Sequence, residues 1–155
     1  MPDVEILTLP PLDLAGIFHR GPYTDLGQVF QRLVAWAEEH QAFRPETRVL
    51  AVAWDNPYMV APEDLRSCAC MTLPPEVTPD GPVEPLTLAG GRHASLVHRG
   101  SYEGLPDAYA WLIGRWLPAS GETQADGPCF EEYLNDCRVL PEEQWLTRIY
   151  VPLKG

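Results

Sequence analysis

Apolar and polar positions along this chain follow two periods, and the same succession of periods occurs twice. Val4 to Leu9 and Leu14 to His19 read as strands separated by Pro10-Pro11, and Gly21-Pro22 ends the second of them. The spacing then becomes helical. Leu26, Val29, Phe30, Leu33, Val34 and Ala37 line one face, Thr24 or Asp25 is placed to cap it, and the pattern stops before Pro45. Strands near Thr47 to Trp54 and Arg66 to Leu73 follow, joined by a loop from Asp55-Asn56-Pro57 to Pro62. A connector rich in turn formers, Pro74 to Pro85, leads into the second round. There, strands near Val83 to Leu88 and His93 to His98 flank Ala89-Gly90-Gly91. A helix with Leu105, Ala108, Tyr109, Leu112, Ile113 and Trp116 inward is expected to halt at Pro118, and strands near Cys129 to Asn135 and Trp145 to Val151 complete eight.

The repetition extends to the letters. A shift of 79 positions carries Val4-Glu5-x-Leu7-Thr8-Leu9 onto Val83-Glu84-x-Leu86-Thr87-Leu88. The same shift carries Ala15, His19-Arg20-Gly21, Tyr23, Leu26 and Leu33 onto Ala94, His98-Arg99-Gly100, Tyr102, Leu105 and Leu112. With one residue inserted, Val49 to Pro57 lies over Cys129 to Cys137. The predicted fold class is α+β: internally duplicated strand-helix-strand-strand modules with eight mainly antiparallel strands and two main helices. One domain, residues 1–155, is expected, made of pseudo-symmetric halves of about 1–74 and 83–155. A half with one helix and four short strands buries too little apolar surface alone, so the halves are expected to pack on each other, with a pocket at their junction.

Charge narrows the function. The chain carries 22 acidic and 11 basic side chains, a net −11, with no Lys/Arg cluster, which argues against binding nucleic acid or an anionic membrane surface and favours a cationic partner. The N-terminus lacks the basic start and apolar core of a signal peptide, and no apolar run approaches membrane-spanning length, so a cytoplasmic location is expected. Cys68, Cys70, Cys129 and Cys137 form no CxxC pair and read as free thiols; no Gly-rich phosphate loop or metal-spaced His pair occurs, and no cofactor or metal is implied.

Candidate chemistry lies where the two rounds differ. Glu131, Glu132 and Tyr133 fall over Ala51, Val52 and Ala53, so two acids and a phenol replace an apolar strand. Alternation puts Glu131 on one face with Cys129, Tyr133 and Asn135, and Glu132 on the other with Phe130 and Leu134. Either acid is a candidate for a buried carboxylate in need of a partner; the competing reading makes both of them charges on an edge strand. His19-Arg20-Gly21 and His98-Arg99-Gly100, being duplicated, read as structural corners, as do Tyr23 and Tyr102, while His40 and His93 read as surface. Of five tryptophans, Trp54, Trp111 and Trp116 are candidates for an aromatic wall.

The chain resembles the GyrI-like small-molecule-binding superfamily, the gyrase-inhibitor proteins and effector-binding domains of AraC-type and MerR-type regulators. The carriers are Trp54-Asp55-Asn56-Pro57, Pro62-Glu63-x-Leu65-Arg66, Gly90-Gly91-Arg92-x-Ala94, His98-Arg99-Gly100-Ser101-Tyr102, Trp116-Leu117-Pro118-x-Ser120-Gly121, Pro128-x-Phe130-Glu131-x-Tyr133-Leu134-Asn135 and Thr147 to Leu153. The resemblance implies a duplicated fold with a central cleft and points to Glu131 as the acid that meets cationic aromatic ligands. The expected function is a ligand-binding module with Glu131 as charge partner, Tyr133 offering a hydroxyl and a ring, and Trp54, Trp111 and Trp116 as candidates for the aromatic wall. Alternatives the resemblance implies are a hydrolase of cyclopropane-containing genotoxins with Glu131 as general base beside Tyr133, and a gyrase inhibitor. A small amphipathic ligand is the expected partner, with gyrase or a regulator as an expected protein partner. No helix-turn-helix segment accompanies these motifs, so direct DNA binding is not expected.

Overall fold

The computed structural model of the protein describes residues 3–155; Met1 and Pro2, where the N-terminal reading begins, lie outside the described residues. Eleven elements position the chain: β1 (Glu5–Leu9), β2 (Leu12–Arg20), α1 (Leu26–Glu39), β3 (Val49–Ala53), β4 (Arg66–Met71), β5 (Glu84–Leu88), β6 (Gly91–Arg99), α2 (Leu105–Trp111), α3 (Leu117–Ser120), β7 (Cys129–Tyr133) and β8 (Leu146–Pro152). The fold is α+β, with eight strands in antiparallel pairings and two main helices, the second made of α2 and α3 in continuous succession. Among the described residues no helix is long and apolar enough to cross a membrane.

The chain forms two compact units, and they are not the two sequence repeats. One is Pro11–Ala89; the other joins the chain up to Pro10 to Gly90–Gly155. In the first unit β2 pairs with β4 and β5, and β4 with β3. In the second, β6 pairs with β1 and β8, and β8 with β7. Each repeat thus lends its first strand to the other's unit. The linker Pro10-Pro11 explains one side of this exchange. A two-residue hairpin needs positive φ within the linker, and proline is held near −65°, so β1 cannot fold back on β2.

Within the Pro11–Ala89 unit, α1 packs Val29, Leu33, Trp36 and Ala37 against Ala15 and Ile17 of β2 and Ala69 and Met71 of β4. Alternation along β2 puts Gly16 on the opposite face, where a Cβ would collide with the Ala69 carbonyl oxygen and stand 2.5 Å from the Cys70 Cβ. Cys68 and Cys70 on β4 are fully buried free thiols, and Cys70 bonds the Leu50 carbonyl oxygen at 3.4 Å.

In the other unit, Ala94, Leu96, Ile149 and Val151 of β6 and β8 meet Leu105 and Leu112 from the helix above. That helix does not halt at Pro118. A π turn, Leu112–Trp116, connects α2 to α3, with the Leu117 N–H bonded to the Leu112 carbonyl. In an α-helix the ring of Pro118 would strike the carbonyl four residues back, at Gly114, and the missing N–H would orphan it. Widening the turn just before Pro118 displaces that carbonyl, and the chain stays helical until Gly121, at φ +81°, ends it.

Candidate functional site

β7 starts two residues beyond Gly127, which turns the chain at φ +124°, and its residues alternate in exposure as a strand with two different faces must. Register places Glu131 opposite Ile149 and Tyr133 opposite Thr147. Ile149 belongs to the core beneath α2, so Glu131 and Tyr133 face the helix. There the Tyr109 hydroxyl donates to Glu131 Oε1 at 3.0 Å, and the Tyr133 hydroxyl donates to Oε2 at 2.9 Å. Both carboxylate oxygens are therefore held, one from the helix above and one from the same strand.

Burial raises the Glu131 pKa, opposed by the two phenol hydrogen bonds and by the charge of His98. The phenols respond in kind. Burial, then the charge of Glu131, pushes Tyr109 well above its ordinary value, and burial first, then a Cys137 contact and nearby acids including Glu131, raises Tyr102. Cys129, on the same face, is pushed up to about 11 by burial. None of the ion pairs among the described residues involves Glu131. A half-buried carboxylate held by neutral donors with no cation attached is short of a charge partner, because unpaired charge drawn out of water costs free energy.

The surround is aromatic. The Tyr102 ring stacks on Trp145 at 4.7 Å and lies tilted against Tyr133 at 5.3 Å. His98 is opposite Thr147 on β6, and its Nε2–H donates to the Ser101 carbonyl at 2.9 Å. Gly104 makes room for that ring, since a Cβ there would stand 2.7 Å from His98 Cε1. The first repeat has Asp25 at the position equivalent to Gly104 and Phe30 at that of Tyr109.

His98 holds its corner, as the duplicated motif suggested, through the Ser101 carbonyl, and Tyr102 packs there on Trp145 and Tyr133; sequence reasoning passed over Tyr109 as a core position. The exchange of Phe30 for Tyr109 was the readable signal: a hydroxyl added on an inward helical face needs an acceptor. Tyr23, the counterpart of Tyr102, also acts as a corner, its hydroxyl donating to the Asp55 carbonyl at 2.6 Å.

Glu132 takes the other face, and the edge-charge reading fails for it: the residue is 8% exposed and accepts from the Tyr150 hydroxyl at 3.2 Å. Phe130 and Tyr150 stack at 4.6 Å beside it. His93, expected at the surface, is 7% exposed and meets Phe130 edge-on at 5.4 Å. Trp111 and Trp116 are half-buried and pack against the core under α2, while Trp54 lies in the Pro11–Ala89 unit, stacked on Phe18. The corners Asp55-Asn56 and Asn135-Asp136 serve turns, with Asn56 Oδ1 accepting from the Tyr58 N–H and Asp136 Oδ1 from the Arg138 N–H. No cluster of three or more His, Cys, Asp or Glu among the described residues is arranged to hold a metal ion.

Comparison with known proteins adds a frame for this geometry. A family model described as GyrI-like small molecule binding domain matches residues 2–154. A DNA gyrase inhibitor of Edwardsiella piscicida is 35% identical over 156 residues, covering 97% of each chain. The crystal structure of the EcmrR C-terminal domain superposes with a TM-score of 0.79 over 100% of this chain and 99% of that one, at 13% identity. The structure of SAV2435 bound to tetraphenylphosphonium gives 0.65, covering 99% and 94%, at 16% identity. The two structural likenesses establish a shared fold.

Proposed function

The chain belongs to the GyrI-like small-molecule-binding family, and from that premise we propose that it takes up an amphipathic, cationic aromatic compound, with Glu131 as the charge partner. The observation that carries the reading is the half-buried Glu131 carboxylate, bonded at both oxygens by phenols yet paired with no cation. A cationic ligand would supply the missing charge at short range in a low dielectric, and Tyr102, Tyr133 and Trp145 would meet its rings. Trp111 and Trp116 support the same helix and stay candidates for the wall; Trp54 belongs to the other unit. SAV2435, a protein of the same fold, was captured with tetraphenylphosphonium, a cation of this chemistry.

The test is a calorimetric titration with tetraphenylphosphonium and with neutral triphenylphosphine oxide. Glu131→Gln is expected to weaken the cation at least tenfold and the neutral compound by less than about threefold. Equal losses would remove Glu131 from the role of charge partner.

A second reading uses the same residue as a general base. A carboxyl whose pKa burial raises is a better base for taking a proton from water, and Tyr109 or Tyr133 would hold it in place. Incubating the protein with excess cyclopropane-containing electrophile separates the readings: several equivalents of water adduct by mass spectrometry indicate turnover, and intact compound indicates binding alone. The relative named a gyrase inhibitor raises a protein partner as well. Purified protein that leaves gyrase supercoiling untouched at hundredfold excess would exclude that partner.

A further inference from the structure

A second constellation lies wholly in the Pro11–Ala89 unit, and none of its residues touches Glu131. A hollow of about 400 Å³ opens there, lined by Phe18, His19, Arg20, Trp54, Arg66 and Ser67. Its size falls within the roughly 300–1,000 Å³ of small-molecule sites. Register explains its make-up. Phe18 pairs with Cys68 and Arg20 with Arg66, so Phe18, Arg20 and Arg66 project from one face of the β2–β4 ladder. Trp54 joins them at the end of β3, its N–H bonded to the Arg66 carbonyl.

The floor is apolar and open. Phe18 is 44% exposed although it stacks on Trp54 at 5.8 Å with planes 25° apart. Leaving such area in water forgoes about 25 cal/mol per Å². The rim is donor-rich. Two guanidiniums directly opposite on neighbouring strands repel, and each has one carboxylate neighbour. Asp55 is fully engaged: it accepts from the Arg66 N–H, Nε and Nη2 at 2.8, 3.0 and 2.9 Å, and its pKa is lowered chiefly by Arg66. Asp64 makes one 3.3 Å contact to Arg20 Nη2. Among the described residues Arg66 Nη1 and the other N–H groups of Arg20 have no acceptor, and the two side chains are 61% and 70% exposed. The four charges cancel, so this rim lacks the negative balance of the whole chain.

The second repeat keeps a counterpart of Arg20, Arg99, but lacks the other three parts. At the positions equivalent to Phe18, Trp54 and Arg66 it has Val97, Leu134 and Leu146. A flat apolar floor with a pair of donor-rich guanidiniums matches a flat ring bearing one carboxylate, and the neutral rim disfavours a doubly charged phosphate. The geometry points to a site in the Pro11–Ala89 unit for a planar aromatic monocarboxylate, its ring against Phe18 and Trp54 and its carboxylate on Arg20 and Arg66.

The experiment is a titration of the full chain with 2-naphthoate, read by two-dimensional NMR on backbone amides and the Trp54 indole N–H. Saturable shifts at Phe18, Trp54 and Arg66 are expected, with a submillimolar Kd and at least tenfold weaker binding of neutral 2-naphthylmethanol. Trp54→Leu and Arg66→Leu introduce the residues of the second repeat, and Arg20→Gln spares the Asp55–Arg66 pair. Each is expected to weaken 2-naphthoate fivefold or more, and Glu131→Gln to leave it unchanged. Absence of saturable shifts up to 5 mM, shifts confined to the surroundings of Glu131, or undiminished affinity in a folded Arg20→Gln protein would overturn the assignment.

Discussion

β3 and β7 descend from the same position in a repeated sequence and have diverged to opposite purposes. β3 reads Val-Leu-Ala-Val-Ala and packs; β7 reads Cys-Phe-Glu-Glu-Tyr and carries a carboxylate on each face. The helices differ in step. α1 runs fourteen residues without interruption, whereas the second helix contains a π turn and presents Tyr109 to Glu131 where α1 has Phe30. One copy kept the regular, tightly packed version of the module, and the other accepted a buried charge and an irregular helix. The contrast teaches that a duplicated fold tolerates a polar site in one copy because the scaffold is defined by the positions both copies share.

Four substitutions test the contrast, in falling order of expected effect. Gly16 and Ser95 are equivalent, yet only Ser95 has room: its hydroxyl accepts from Arg148 Nη1 at 3.0 Å, while a Cβ at Gly16 meets Ala69 and Cys70. Gly16→Ser is expected to cost about 3 kcal/mol or more of stability by denaturant unfolding, and Ser95→Gly much less. Next, Glu131→Gln should weaken tetraphenylphosphonium at least tenfold, about 1.4 kcal/mol or more, measured by calorimetry.

The same variant should be more stable than the parent at neutral pH. A carboxyl whose folded pKa is raised binds protons more tightly when folded, so its contribution is whole below its unfolded pKa of about 4.3 and is lost as pH rises through the folded value. The advantage of Glu131→Gln, read as a higher Tm at pH 7, should vanish near pH 4. A pH-independent difference would contradict the burial of this carboxylate. Smallest is Tyr109→Phe, which restores the residue of the first repeat. It removes a bond that lowers the Glu131 pKa, so that pKa should rise further by ¹³C NMR titration of the side-chain carboxyl, with a few-fold loss of cation affinity.

Much of the architecture was legible because the periods were clean. The eight strands, the helix over Leu26 to Ala37 and the duplication followed from spacing alone, and the Glu131–Tyr133 pair stood out against Ala51 and Ala53. Pro118 misled, since a rule about α-helices says nothing of a π turn that relocates the offending carbonyl. His93 misled because a polar letter is read as exposed, while its partners Phe130 and Tyr150 arrive from other positions in the chain; the burial of Glu132, which the strand pattern left open, is decided by Tyr150.

The order of residues by itself determined which segments pleat, which coil, and which side of each segment is apolar, because these depend on neighbours within a few positions. Only the folded chain decided that each repeat exchanges its first strand, that Tyr109 rather than a tryptophan completes the hold on Glu131, and that Phe18, Trp54, Arg20 and Arg66 converge. Those outcomes depend on register between strands distant in sequence, where a shift of one residue would send every side chain to the other face.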